Sequence, residues 1–424
     1  MNEQFLAYLW KYRYFSPELK TVSGDPLTIL HPGDQNSDSG PDFFNARLRI
    51  GSTTWAGNVE IHVNASDWYR HGHHTDPAYD RVILHVVYEP DRPVYHQNGV
   101  PVQTLLIRNQ FPPWIFERYQ LMMQDKQWIP CGNQLVYTDH LGFRMWAPAL
   151  AVERLEYKTN SISKLLSVCG NDWEEAFYRH LAGSFGFKIN SLSFELLAKS
   201  LPLKIVRQHC DNKFQMEALL YGQAGMLTKE FSDLYPNELL REYRFLSSKY
   251  NLNPISGGIW KFLRLRPSNF PTIRISQFAS FLFHTRAVFF NLLEGGSLYK
   301  AMGVLKLTAS DYWNNHYVFD KPALERKKTM GPSGIRLLII NGLAPFLFFY
   351  GLEKDQPGIC EGVLAFLEKV NGENNFDIDR WKEVGFPADN AVQTQALLHL
   401  KHFYCDKKRC LDCRIGSRLL AENN

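Results

Sequence analysis

Asp42 follows Pro41, and Glu60 opens the run Glu60-Ile61-His62. Residues two apart on a strand share a face, so Glu60 and His62 point together while Val59, Ile61 and Val63 point the other way. Two carboxylates brought together from adjacent strands make an oxygen-ligand site suited to Mg²⁺ or Mn²⁺. Such an ion activates water and offsets charge at a phosphodiester. A basic group two residues beyond the second carboxylate orients or polarises that water. Asp42, Glu60 and His62 are therefore the catalytic candidates, with Asp42 and Glu60 as ligands. A second constellation follows in Asp67, Trp68, His71, His73, His74, Asp76 and Asp80. His71, His73 and Asp76 are additional ligand candidates, able to hold Zn²⁺, Mn²⁺ or Fe²⁺ with Glu60 and His62. A polar loop of surface histidines is the competing reading, since no fixed-spacing metal motif is matched. His85, inside an apolar run, reads as a hydrogen-bonded core histidine.

A third cluster lies near the C-terminus in HLKHFYCDKKRCLDCRIG. Cys405, Cys410 and Cys413 have the spacing C-x4-C-x2-C, and C-x2-C places two thiolates on one turn around a metal. With seven cysteines and no secretory signal, metal binding is a better reading than a disulfide framework. The spacing leaves the fourth ligand open among His402, Cys131 and Cys360. Histidine would favour Zn²⁺, and cysteine an iron–sulfur cluster. The same segment is basic: residues 401 to 418 hold six Lys/Arg and two Asp. Lys407, Lys408 and Arg409 there, with Lys261, Arg264, Arg266 and Arg274 around PSNFP, are candidate phosphate contacts. Arg326-Lys327-Lys328 before GPSG is a further basic run of the same kind.

Two textures of sequence must position these groups. Up to about residue 110 the period is two. Ala46, Leu48 and Ile50 alternate with Asn45, Arg47 and Arg49, then Gly51-Ser52-Thr53-Thr54 reads as a turn into the strand carrying Glu60. VILHVVY at 82 to 88 suits a strand covered on both faces. Val102 to Ile107 is another strand, and Met1 to Phe15 a helix. From about residue 140 the period is helical. Asn171 or Asp172 caps WEEAFYRHLAGSFG, which Gly186 ends. Further helices are expected over 214–227, 237–250, 275–293, 334–354, 360–370 and 391–403. The fold class is α+β. A strand-rich domain with few helices, residues 1–125, precedes a larger, mostly helical domain, residues 126–424, ending in the Cys-rich basic segment.

PD, a hairpin, E-x-basic on its second strand and then an apolar strand resemble the PD-(D/E)xK nuclease core. The resemblance implies that Asp42 and Glu60 ligate the metal and that His62 stands where the pattern has lysine. Histidine there serves as a third ligand or a base, or marks a core that has lost activity. The phrases GPDFFNARLRIG, GNVEIHVNASDW and VILHVVYE also resemble an uncharacterised bacterial family, a domain of unknown function, over most of the chain.

Over 424 residues, 47 Lys/Arg face 43 Asp/Glu, a net charge of +4. That sum hides an acidic strand region, where residues 1–110 hold nine Lys/Arg and twelve Asp/Glu, and a basic remainder. The longest apolar stretch, LLIINGLAPFLFFYGL, is expected as a buried helix pair, because it falls short of the about 20 residues a bilayer needs. No signal peptide is evident, so the expected setting is the bacterial cytoplasm, with nucleic acid rather than membrane as partner. The leading expectation is a metal-dependent phosphodiesterase, a nuclease. The alternatives are a nucleic-acid-binding or assembly protein with a degenerate core, and a metal-dependent hydrolase built on the histidine loop.

Overall fold

The computed structural model describes every residue except 17, 37, 138–139, 285–297 and 422–424. Its contacts divide the chain into two compact units, residues 1–138 together with 401–424, and residues 139–400. The C-terminal segment thus groups with the strand-rich unit and not with the helices that precede it in sequence.

In the first unit α1 (Glu3–Tyr12) starts where the Asn2 side chain accepts from the Phe5 N–H at 2.9 Å, and it buries Phe5, Leu6, Leu9 and Trp10. Seven strands follow: β1 (Leu19–Lys20), β2 (Pro26–His31), β3 (Asp34–Gln35), β4 (Phe43–Ile50), β5 (Thr53–Asn64), β6 (Val82–Glu89) and β7 (Thr104–Leu106). They form a mixed sheet in the order β1-β2-β4-β5-β6-β7, with β3 paired to β4. β2, β4 and β5 run antiparallel, whereas β5, β6 and β7 run parallel. The alternation in β4 buries Ala46, Leu48 and Ile50 and exposes Asn45, Arg47 and Arg49. β6 is mostly buried, as suits a strand with parallel neighbours on both sides.

Two local features aim the site. The β4–β5 register shifts between Phe43 and Ala46, where Asn45 takes a left-handed φ of 59°. That bulge leaves Phe43 opposite Val59, so Asp42 arrives beside Glu60. At Gly57, β5 approaches β6 closely: a Cβ there would meet Ile83 Cγ2 at 2.4 Å and the Arg81 carbonyl oxygen at 2.6 Å. The crossover from β5 to β6 carries α2 (Asp67–Arg70) and short 3₁₀ turns at His73–Thr75 and Pro77–Tyr79. The FPPW sequence at 111–114 opens α3 (Pro113–Gln124). Proline at the first helical position lacks only an N–H that the helix would leave unpaired.

The second unit is helical around one large apolar core, with a small hairpin at His316–Val318 and Lys321–Pro322. Asp172 caps Trp173–Phe185 as expected, accepting from the Glu174 and Glu175 N–H groups. Helices also cover Lys213–Gln223, Leu234–Tyr250, Pro357–Lys369 and Ala391–His399. The run expected over 275–293 is described as Pro271–His284, and its remainder lies outside the described residues. A helix of 29 residues, His140–Val168, follows from the onset of the helical period near residue 140 and carries Pro148 in its interior.

The apolar stretch forms one continuous helix, Pro332–Glu353, and not a helix pair. Pro345 lacks the N–H that would bond to the preceding turn, and a π-helical segment at Ile339–Leu343 accommodates the defect. This helix of 22 residues is long and apolar enough to cross a membrane, yet 72% of its most apolar window is buried within the protein. The architecture is α+β, an N-terminal mixed sheet followed by a larger helical part.

Candidate metal centre

Glu60 sits at the middle of a cluster built from β5, the residue before β4, and the crossover loop. Its Oε1 lies 3.5 Å from His62 Nε2 and 3.2 Å from His73 Nε2. His71 Nδ1 is 3.1 Å from His62 Nε2. One nitrogen from each of His62, His71 and His73 lies within 4.8 Å of the other two, a spacing one metal ion can satisfy. Asp42 joins from the neighbouring strand end: its N–H donates to Glu60 Oε2 at 3.1 Å, and the Ile61 N–H donates to Asp42 Oδ2 at 2.9 Å. This reciprocal pair fixes the two carboxylates side by side.

The supporting residues hold the imidazoles in place. His62 Nδ1 and His85 Nε2 share a proton at 2.8 Å, so His85 orients His62 from behind, as a buried core histidine. The His73 ring stacks on Tyr79 at 3.7 Å and meets the edge of buried Trp68 at 5.5 Å. Gly72 takes a φ of 79°, which lets the chain turn between His71 and His73. His62 and His73 are buried while His71 is exposed, so the cluster opens to solvent on the His71 side.

Burial dominates the electrostatics. It raises Asp42 to about 7, helped by the Glu60 charge, and raises Glu60 to about 8. It pushes His62 down to about 2 and His85 to about 3, and lowers His73. The arrangement is thus two carboxylates that resist ionisation beside imidazoles that resist protonation. A divalent cation relieves the first penalty and uses the second. His73 Nε2 is buried and faces the Glu60 carboxylate at 3.2 Å, where an ion between them would take both as ligands.

The other sequence candidates separate. Asp76 is exposed and caps the following turn by accepting from the Ala78 N–H at 2.9 Å, so it shapes the loop instead of joining the cluster. Lys261, Arg264 and Arg266 are exposed. Arg274 is buried, donating to Gln277 at 2.8 Å and Asn269 at 2.6 Å, with its guanidinium over the Phe187 ring. Lys328 is also buried, donating to the Asn314 and Arg326 carbonyls at 2.9 Å. Lys407 is exposed, Lys408 donates to the Met123 and Asp125 carbonyls at the end of α3, and Arg409 pairs with Asp412 at 2.9 Å. Cys131 lies near enough to Cys410 and Cys413 for their charges to raise its thiol, and Cys405 feels all three, whereas exposed His402 faces Asp406 at 3.3 Å. Cys360 belongs to the other unit.

Sequence reasoning missed Glu3, in the first turn of α1, whose charge raises both Asp42 and Glu60. A first-turn glutamate is an ordinary helix feature, so nothing in the sequence connected it with residue 60. Tyr79 and the orienting role of His85 are likewise tertiary facts.

Residues 3–376 match the family described as protein of unknown function (DUF2851), and the chain belongs to that family. No curated protein and no solved structure matches it.

Proposed function

We propose that this chain is a metal-dependent phosphodiesterase acting on nucleic acid, with a core of the PD-(D/E)xK kind in which His62 takes the lysine position. The observation that carries the reading is the approach of Asp42, His62 and His73 to Glu60, with His71 joining the cluster through His62. The strand arrangement supports it. Asp42 and Glu60 flank an antiparallel hairpin, and the apolar strand after the crossover returns parallel to the strand bearing Glu60.

Glu60, His62 and His73 hold the ion from the protein side, and His71 binds at the solvent-facing edge. Asp42 supplies a second carboxylate to the ion or to its water. The bound ion would lower the pKa of a water molecule and offset charge on a phosphate oxygen. Imidazole donors favour Mn²⁺, Zn²⁺ or Fe²⁺ over Mg²⁺, which prefers oxygen ligands. The exposed Lys261, Arg264, Arg266 and Lys407 are among the cations that can approach a phosphate backbone.

Three imidazoles in the ligand set also favour a second reading, a metal-dependent hydrolase of a different substrate. One assay separates the two. The full-length protein is incubated with labelled single- and double-stranded DNA and RNA in Mn²⁺, alongside Asp42→Asn and Glu60→Gln. The account expects cleavage that EDTA stops and that falls at least about a hundredfold in either variant, the scale of losing a metal-activated nucleophile. Equal cleavage in both variants would refute the site assignment. Salt-sensitive binding without turnover would point to a binding protein with a degenerate core.

A further inference from the structure

We infer that Cys131, Cys405, Cys410 and Cys413 form a four-thiolate metal site, separate from the Glu60 cluster, that ties the C-terminal segment to the strand-rich unit. The sequence places Cys131 more than 270 residues before Cys405, yet the fold brings it within electrostatic reach of the three C-terminal thiols. Cys131, Cys410 and Cys413 are buried, and none of the four is in a disulfide. Cys131 adjoins a cleft of about 370 Å³, lined also by Met122, Asp125, Pro130 and Gln134, so a metal can reach it.

The local backbone has the features of a thiolate knuckle. The Gly416 N–H donates to Cys413 Sγ at 3.5 Å, a charge-assisted bond once the sulfur is deprotonated. Gly416 packs so closely that a Cβ there would lie 2.4 Å from the Cys410 carbonyl oxygen. Lys408 turns through a φ of 51° and fastens the loop between the first two cysteines to the end of α3. Tyr8 donates to the Ser417 carbonyl at 3.0 Å, anchoring the helix Arg414–Ala421 that follows. Burial, helped by the neighbouring Cys413 thiol, raises Cys410 to about 12, so the metal-free site holds its protons. A metal replaces those protons and neutralises the thiolates.

The choice of Cys131 distinguishes this site from one completed by the nearby histidine. His402 is exposed and faces Asp406. Four cysteines hold either zinc or an iron–sulfur cluster. The test is metal and sulfide analysis of the full-length protein, purified anaerobically without chelator, for wild type, Cys131→Ser and His402→Ala. One zinc, or iron with matching sulfide and visible absorbance, is expected in wild type. His402→Ala should keep it, and Cys131→Ser should lose most of it. Because Cys131→Ser can misfold, native thiol labelling of wild type provides a second readout. Four of the seven cysteines should be protected until chelator or oxidation releases the metal. Wild type free of zinc and iron, metal lost in His402→Ala but kept in Cys131→Ser, or thiol reactivity unchanged on metal removal would each overturn the inference.

Discussion

Glu60 has a buried carboxylate facing imidazole nitrogens on one side and a second carboxylate on the other. Folding without a metal holds Asp42 and Glu60 protonated to about 7 and about 8, against ordinary values near 4. Raised folded values mean that these acids favour the metal-free fold at low pH, and that this contribution is lost as pH rises through 7 to 8. Metal binding must displace the same protons. Mn²⁺ affinity, measured by calorimetric titration, should therefore increase between pH 6 and pH 8 by up to about tenfold per unit for each proton displaced, then level off. Burial keeps His62 neutral well below that window and lowers His73 as well. An affinity independent of pH would contradict this assignment. Asp42, Glu60 and His62 were legible because strand period and the PD dipeptide are local signals. His71 and His73 were legible as candidate ligands alongside Glu60 and His62, from the His-Gly-His loop that follows. Glu3 and Tyr79 were not legible, because their neighbours come from other elements.

The elements that carry the centre depend on one close approach. β5 and β6 meet at Gly57, where no Cβ fits beside Ile83 and the Arg81 carbonyl. Gly57→Ala should cost about 1–3 kcal/mol, the usual range for overpacking. Because β6 carries His85, which orients His62, metal affinity should fall as well. Denaturant unfolding and Mn²⁺ titration of the same variant check both effects, and an unperturbed variant would show that β6 does not set the site. Strands and capped helices were readable from period and capping residues, as at Asp172. Prolines inside helices were not: Pro148 lies within one helix and Pro345 is accommodated by a π turn, because tertiary packing outweighs the local cost of proline.

Over the whole chain, the net charge of +4 averages an acidic strand region and a basic remainder. Part of that basic excess is internal, since Arg274 and Lys328 are buried within the helical unit, and exposed Lys408 is engaged in anchoring the C-terminal loop to α3. The cations left exposed are fewer than the composition suggests. Residues 401–424 belong with the first unit, a grouping invisible to a reading that follows the chain in order. The central claim is that Glu60, His62, His71 and His73 hold one divalent ion. Anomalous diffraction from crystals of the full-length protein grown with Mn²⁺ tests it most directly. The account predicts a single manganese peak whose nearest protein atoms are a Glu60 oxygen and one nitrogen from each of the three histidines. Crystals of properly folded protein, saturated with Mn²⁺, that show no peak among these four residues would contradict it.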